Sequence, residues 1–373
     1  MGLGLIAQSV HLPNLLTLRD TFRVTHVCDV SAHLAATVAD ALPGTVTSSA
    51  DWQRVVADPQ VDAVLVLTPG SHGDVSLAAL RSGKHVLAEK PLAYSRAEVI
   101  ELGAAASESG CVLQVAYMKA YDPVLARARD ELARIGDVRI VRVTVLHPSH
   151  EVQFAHWNLH RSIDADSALI DRANAYSTDR VREALGDAPV GVSSLYTGIL
   201  LGSVVHELAL VRALGLGDAE SIDLVTVAPT LTAQRASEPP CILAIGRLPG
   251  GVRFEVSWNW LPDYAEYTEE VAVFGSAGRV LLSMPGPYLP AHRAQLRVQR
   301  MVGDERSDTT WQSSHTTSFV EELKAFACSI RDGAPVVTGV AEALRDTEVL
   351  QRMASLAAVE AGLTVSGEAA TAR

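Results

Sequence analysis

A doubly wound parallel α/β sheet followed by an α+β domain with a large, mainly antiparallel sheet is the architecture this sequence predicts, on three observations. The first third of the chain alternates short apolar runs with amphipathic stretches, the rhythm of strand–helix units. Beyond about residue 122 strand-like runs follow one another with no room for helices between most of them, as antiparallel pairing requires. A length of 373 residues is long for one domain and comfortable for two.

The continuous apolar runs at 22–28, 61–67, 84–87 and 111–116 have the pattern of parallel strands buried on both faces. Helical spacing falls between them, over 7–18, 32–42, 71–82 and 95–109. These make a first domain over 1–122. In the second, over 123–373, a helix near 123–135 leads to a strand at 138–146, and a polar stretch over 147–189 reads as irregular. A helix at 203–214 precedes strands at 222–227, 242–247, 252–258, 268–274, 279–283 and 295–301. Helices at 319–331 and 341–361 close the chain and are candidates to pack back on the first domain.

Composition excludes several classes. A formal charge of −12 argues against a nucleic-acid partner, which needs a basic surface. No apolar run reaches the ~20 residues of a membrane span, and the start, MGLGLIAQSVHLP, lacks the basic region and cleavage site of a signal peptide. The expectation is a cytoplasmic protein. Cys28, Cys111, Cys241 and Cys328 are scattered, with neither metal spacing nor a disulfide framework.

The opening Gly2-Leu3-Gly4-Leu5-Ile6-Ala7 fits the G-x-G-x-x-A turn that lays a pyrophosphate on a helix N-terminus. Gly2, Gly4, Leu5 and Ile6 are its candidate contacts. The run 22–28 ends in Asp29, 25 positions after Gly4, near the ~20 expected for an acid that binds the adenosine ribose. A carboxylate there accepts from the ribose hydroxyls and repels a 2′-phosphate, so NAD is expected rather than NADP. Asp29 as a mere cap of the next helix is the alternative. The loop Thr68-Pro69-Gly70-Ser71-His72 follows another strand at the same sheet edge, making Thr68, Pro69 and His72 further cofactor candidates. His72 as helix padding weighs equally. In a dinucleotide-binding sheet the glycine turn follows a central strand, and here only Met1 precedes Gly2. The native protein is therefore expected to begin upstream, with 22–28 and 61–67 flanking a vacant position in the sheet.

The stretch AALRSGKHVLAEKPLA over 78–93 strongly resembles the glucose–fructose oxidoreductase, inositol dehydrogenase and rhizopine-catabolism (Gfo/Idh/MocA) family, whose hallmark is Glu-Lys-Pro, here Glu89-Lys90-Pro91. The glycine turn, the TPGSH loop, VAYMKAYDP at 115–123, FGSAGRVLLSMP at 274–285 and SFVEELKAFACSIRDGAPVVTG at 318–339 match in order. The resemblance implies hydride transfer between nicotinamide and a secondary hydroxyl or ketone of a sugar, inositol or related cyclic polyol. It implies Glu89 and Lys90 at the cofactor and a homodimer or homotetramer. Independently of the family, a lysine before proline at a parallel strand's end is held extended, and its ammonium suits a developing alkoxide. Lys90 is the first catalytic candidate.

His206 is the second, as the proton carrier. It matches the His of a D-x-G-x-H-x-x-D pattern whose two acids are here Gly202 and Ala209. Glu207 alone stands beside it and is expected near the substrate. Met118 replaces a family Asn, Ala120 a common Arg, and Lys119 keeps a cation, so Lys119 and Tyr117 are candidate substrate contacts. The segment 147–160 holds His147, His150, His156, Trp157 and His160. A cleft loop touching substrate through Trp157 is preferred to a metal site, so no metal is expected. Trp258 and Trp260 suit sugar stacking or core packing. Redox-neutral elimination or glycoside cleavage assisted by NAD, and a non-catalytic ligand sensor, are the competing functions.

Overall fold

The computed structural model describes residues 1–236, 238–289, 293–313 and 315–372. Two compact units emerge: Met1–Tyr117 with Trp157–Ala184 and Glu322–Thr347, and Met118–His156 with Leu185–Glu321 and Glu348–Arg373. The chain passes between them repeatedly, not once near residue 122.

In the first unit β1 (His26–Cys28) and β2 (Thr47–Ser49) pair in parallel, and β3 (Ala63–Val66), β4 (His85–Ala88) and β5 (Leu113–Val115) form a second parallel ladder. Met1 and Gly2 run between the two. The Gly2 amide donates to the Cys28 carbonyl and the Leu67 amide to the Met1 carbonyl, both at 2.8 Å. The Met1 ammonium donates to the Leu65 carbonyl at 2.8 Å. β1 and β3 share no ladder among the described residues, but the position between them, expected to be vacant, holds Met1 and Gly2. Strand order reverses at Met1–Gly2, and ligands of such sheets bind outside the carboxyl ends of the strands at the reversal.

The apolar run at 22–28 contributes only three ladder residues, because part of its burial comes from side-chain packing. Val24 packs beside Leu3, Val27, Leu34 and Leu67. Phe22 joins Leu87, Ala116, Leu323 and Phe326. Helices Ala32–Ala41 and Arg96–Ser109 begin on Ser31 and Ser95, whose hydroxyls accept from the Leu34 and Glu98 amides.

The polar stretch expected to be irregular contains a 19-residue helix, Ser167–Leu185. Asp166 caps it, accepting from the Ala168 amide at 2.9 Å. Exposed on most sides, it lacks the apolar stripe that makes a helix legible. Polar contacts hold it instead: Tyr176 Oη donates to Glu98 at 2.8 Å and Ser95 Oγ to Glu183 at 2.6 Å.

The second unit is built on an eight-stranded sheet of β6 (Val138–His147), β7 (Ser221–Ala228), β8 (Cys241–Leu248), β9 (Val252–Trp260), β10 (Thr268–Gly275), β11 (Gly278–Met284), β12 (Gln295–Val302) and β13 (Glu305–Gln312). Their order is β13-β12-β11-β10-β6-β9-β8-β7, antiparallel except for β6 beside β9. The edge strand β13, ERSDTTWQ, escapes sequence reading because it buries neither face.

The helix expected at 203–214 is part of a longer one, Val190–Ala213, which by length and composition alone is apolar enough to cross a membrane. This corrects the expectation that no run reaches that length. Most of it is buried within the protein, and Trp258 Nε1 on β9 donates to its Ser203 Oγ at 2.9 Å. Core packing accounts for its apolarity.

Candidate functional site

At the sheet edge of the first unit, Gly2 has φ +80°. A Cβ there would stand 2.7 Å from the Leu67 backbone, so only glycine lets the turn lie against β3's end. Gly4 is exposed, and a Cβ on it would meet nothing within 4 Å. One glycine is needed for packing, and the other leaves open room above the turn. Leu5 and Ile6 are half-buried where the helix begins. Asp29, at the end of β1, accepts from the Leu3 amide through Oδ2 at 2.8 Å and from the Ser31 amide through Oδ1 at 3.0 Å. It fastens the glycine turn to the next helix start, and each oxygen keeps a lone pair for a further donor. Open space over Gly4, helix-start amides and this carboxylate together fit a dinucleotide, whose bound nicotinamide would supply hydride chemistry.

Beyond β3, Thr68 is half-buried and Pro69 exposed. His72 is buried, and its Nδ1 donates to the Pro91 carbonyl at 2.6 Å. Burial pushes the His72 pKa down, so it is neutral at pH 7. It ties the TPGSH loop to the Glu-Lys-Pro turn through that ring nitrogen.

Glu89, also expected at the cofactor, is buried under that turn. Its Oε1 lies 3.0 Å from His11 Nε2, and its Oε2 accepts from the Lys90 amide at 3.1 Å. Burial raises the Glu89 pKa, but the His11 hydrogen bond and the charges of His11 and Lys90 outweigh it and hold the carboxyl below its usual range. Lys90 is half-buried at the end of β4, before a cis peptide bond to Pro91. His11 had no sequence signal. It is fixed by a π-helical turn, Ala7–His11, and such turns recur at functional sites.

In the second unit His206 is buried on Val190–Ala213, just after a π-helical stretch, Leu195–Val204. Glu207, expected near substrate, is engaged within the protein: its carboxylate accepts from Lys119 Nζ at 3.1 Å. Lys119 also pairs with Glu269, which accepts from Tyr267 Oη at 2.6 Å. Lys119, Glu207 and Glu269 are 3%, 0% and 1% exposed, which corrects the expectation that the first two are open to substrate. Burial would lower the Lys119 pKa, but Glu207 and Glu269 outweigh it and raise it. Burial pushes Glu207 up to about 7, against the pull of Lys119 and with a further push from Glu269. Glu269 and Tyr267 belong to no motif, and only the β10–β6 pairing brings them here.

Tyr117 is buried at the end of the first unit, and Trp157 is half-buried where that unit resumes. His147 ends β6 instead of starting a loop. Its ring lies 5.3, 5.5 and 5.7 Å from those of Trp258, Trp260 and Tyr267, so the tryptophans pack a histidine. His156 contacts the Tyr288 carbonyl, while His160 donates its amide to Gln8. The side chain of His150 lies outside the described residues. Among the described residues no three His, Cys, Asp or Glu side chains cluster as metal ligands.

Residues 1–117 match the model of the Gfo/Idh/MocA oxidoreductase family, described as having an NAD-binding Rossmann fold. An inositol 2-dehydrogenase of Mycolicibacterium smegmatis aligns over 310 residues at 27% identity, covering 80% of this chain and 78% of that one. The match to that family covers residues 1–117, and the parallel strands of the first unit lie within it. The scyllo-inositol 2-dehydrogenase (NAD(+)) of Bacillus subtilis is 35% identical over 130 residues, 35% of this chain and 37% of that protein. The chain's matches span only 37% to 42% of the length of the first three curated relatives. A levoglucosan dehydrogenase solved with NADH and levoglucosan shares the fold with a TM-score of 0.72, at 18% identity and 96% coverage of both chains.

Proposed function

We propose that this protein is a Gfo/Idh/MocA-type NAD-dependent oxidoreductase acting between a secondary hydroxyl and a ketone of a sugar, inositol or related cyclic polyol. The observation that carries the reading is the joint presence, on one sheet edge, of the open glycine turn, Asp29 and Lys90. Asp29 takes the adenosine ribose, and the glycine turn takes the pyrophosphate. Lys90 holds its ammonium toward the substrate oxygen and stabilises the alkoxide, with Glu89 fixing the Lys90 backbone from below. His206 carries the hydroxyl proton. The Lys90 and His206 assignments rest on separate units. Similarity to inositol and levoglucosan dehydrogenases supports the substrate class. A cytoplasmic homodimer or homotetramer belongs to the same proposal. The test is NADH formation across a panel of cyclic polyols and sugars with NAD and NADP. Turnover with NAD and at least one polyol is expected, and tight NAD binding with no turnover would leave a ligand sensor.

One observation favours a redox-neutral reaction, in which hydride returns to the substrate within one turnover. The acids of the family pattern are Gly202 and Ala209, and Glu207 is engaged with Lys119. A Cβ at Gly202 would meet only the Thr197 carbonyl at 3.5 Å, an ordinary contact, so Gly202→Asp is accommodated. On the dehydrogenase reading it raises NADH formation by about 10²-fold, the low end of general acid–base effects. A fall in rate, with product still forming and no net NADH, selects the redox-neutral reaction.

A further inference from the structure

The segment from Trp157 to Ala184 crosses the carboxyl edge of the parallel sheet within the first unit. At one end, His160 exchanges hydrogen bonds with Gln8 of the helix after the glycine turn, at 2.9 and 3.0 Å. Further on, the Asp166 amide donates to the Val30 carbonyl at 3.1 Å. Ser177 Oγ then accepts from the Ser71 amide at 3.4 Å. The segment therefore touches the loops after Gly2, β1 and β3, the three that a dinucleotide must follow.

Between the first two contacts stands Asp164. Its Oδ1 accepts from Ser31 Oγ, and its Oδ2 accepts from the His33 amide at 3.1 Å. Ser31 and His33 follow Asp29 at the end of β1 and open the helix Ala32–Ala41. Resting on the proposed ribose role of Asp29, we infer that Asp164 is a second cofactor-specificity residue, which holds a carboxylate where the 2′-phosphate of NADP would be received.

The reasoning is one of competition for donors. A 2′-phosphate is bonded to the ribose oxygen that Asp29 takes, so it lies beside the next donors along the chain. Those are the Ser31 hydroxyl and the amides at the helix start, groups suited to an anion. Asp164 has both, and these same bonds, that from Ser31 foremost, hold its carboxyl below the usual range. The helix does not need Asp164 as a cap, since Ser31 Oγ already accepts from the Leu34 amide at 3.1 Å. A phosphate arriving here must displace Asp164 and meet two carboxylates, a repulsive element against the wrong cofactor.

The experiment is calorimetric titration of the full chain with NAD and with NADP, for the wild type, Asp164→Asn and Asp164→Ser. Wild type binding NAD in preference to NADP is the starting expectation. Both variants should tighten NADP binding by about tenfold, the scale of removing one charge near a phosphate in water, and leave NAD within about twofold. Having two variants guards against one that misfolds, and the NAD titration reports on folding in each. An unchanged NADP-to-NAD ratio in a variant that still binds NAD overturns the inference and leaves the cofactor reading intact. Parallel losses for both cofactors also overturn it, by making Asp164 structural. Wild type that binds neither refutes the cofactor reading and this inference together.

Discussion

At the sheet edge of the first unit, most ionisable groups are held by main chain. Asp29 sits on the amides of Leu3 and Ser31, Glu89 takes the amide of Lys90 as well as the His11 ring, and His72 donates to the Pro91 carbonyl. Around the helix Val190–Ala213 in the second unit, charge is held by charge: Lys119 between Glu207 and Glu269, with Tyr267 behind. Main-chain partners are available whatever the neighbouring side chains, so the first arrangement demands only a few residues at fixed spacing. The second demands one cation and two acids from three distant parts of the chain, and it fails if any one is lost. The first is therefore robust and the second brittle, a contrast that mutation tests directly.

The largest effect expected is on stability. Lys119→Met leaves Glu207 and Glu269 buried with no cation, and removing one partner of a buried ion pair costs about 3–5 kcal/mol. Urea unfolding measures it, and a loss near that of an exposed pair would show that the triad is not what holds this region. Next is Lys90→Ala, which should lower kcat by about 10²–10³ through loss of charge at the alkoxide. The unfolding midpoint should stay near wild type, because Lys90 is only half-buried. Full activity in that variant would remove Lys90 from the chemistry.

The smallest effect concerns pH. Glu207 is pushed up to about 7 in the folded protein from an ordinary value of 4.5. Between those two values the folded state binds more protons than the unfolded chain, so this group's contribution is greatest below 4.5 and is lost as pH rises through about 7. Glu207→Gln should flatten that part of the stability profile, moving the pH 8 midpoint toward the pH 5 one by roughly 3 °C. Other buried acids titrate too, so the informative quantity is the wild-type minus variant difference across this window. Identical slopes would place the proton elsewhere in the triad.

The same contrast explains what was legible. Gly2, Gly4, Asp29 and Glu89-Lys90-Pro91 were readable because backbone geometry dictates both residue type and spacing. His11, Glu269, Tyr267 and Asp164 were not, since each acts on a partner 78, 150, 2 and 133 positions away and obeys no local rule, Tyr267 mattering only through Glu269. Lys119 and Glu207 were expected at the substrate, because their burial and mutual pairing were invisible in the sequence. The helix Ser167–Leu185 and strand β13 were missed because neither buries a periodic apolar face.

By itself, then, the sequence determined the two-part architecture and the sheet edge that fits a dinucleotide, because hydrophobic period and glycine turns act over a few neighbouring residues. Tertiary structure alone decided that Glu89 and His72 support the Lys90 turn, that Lys119 and Glu207 neutralise each other in a closed core, and that a polar segment lays Asp164 beside Asp29. Those outcomes depend on which side chains meet after folding, and a buried charge takes its role from the partner that makes its burial affordable.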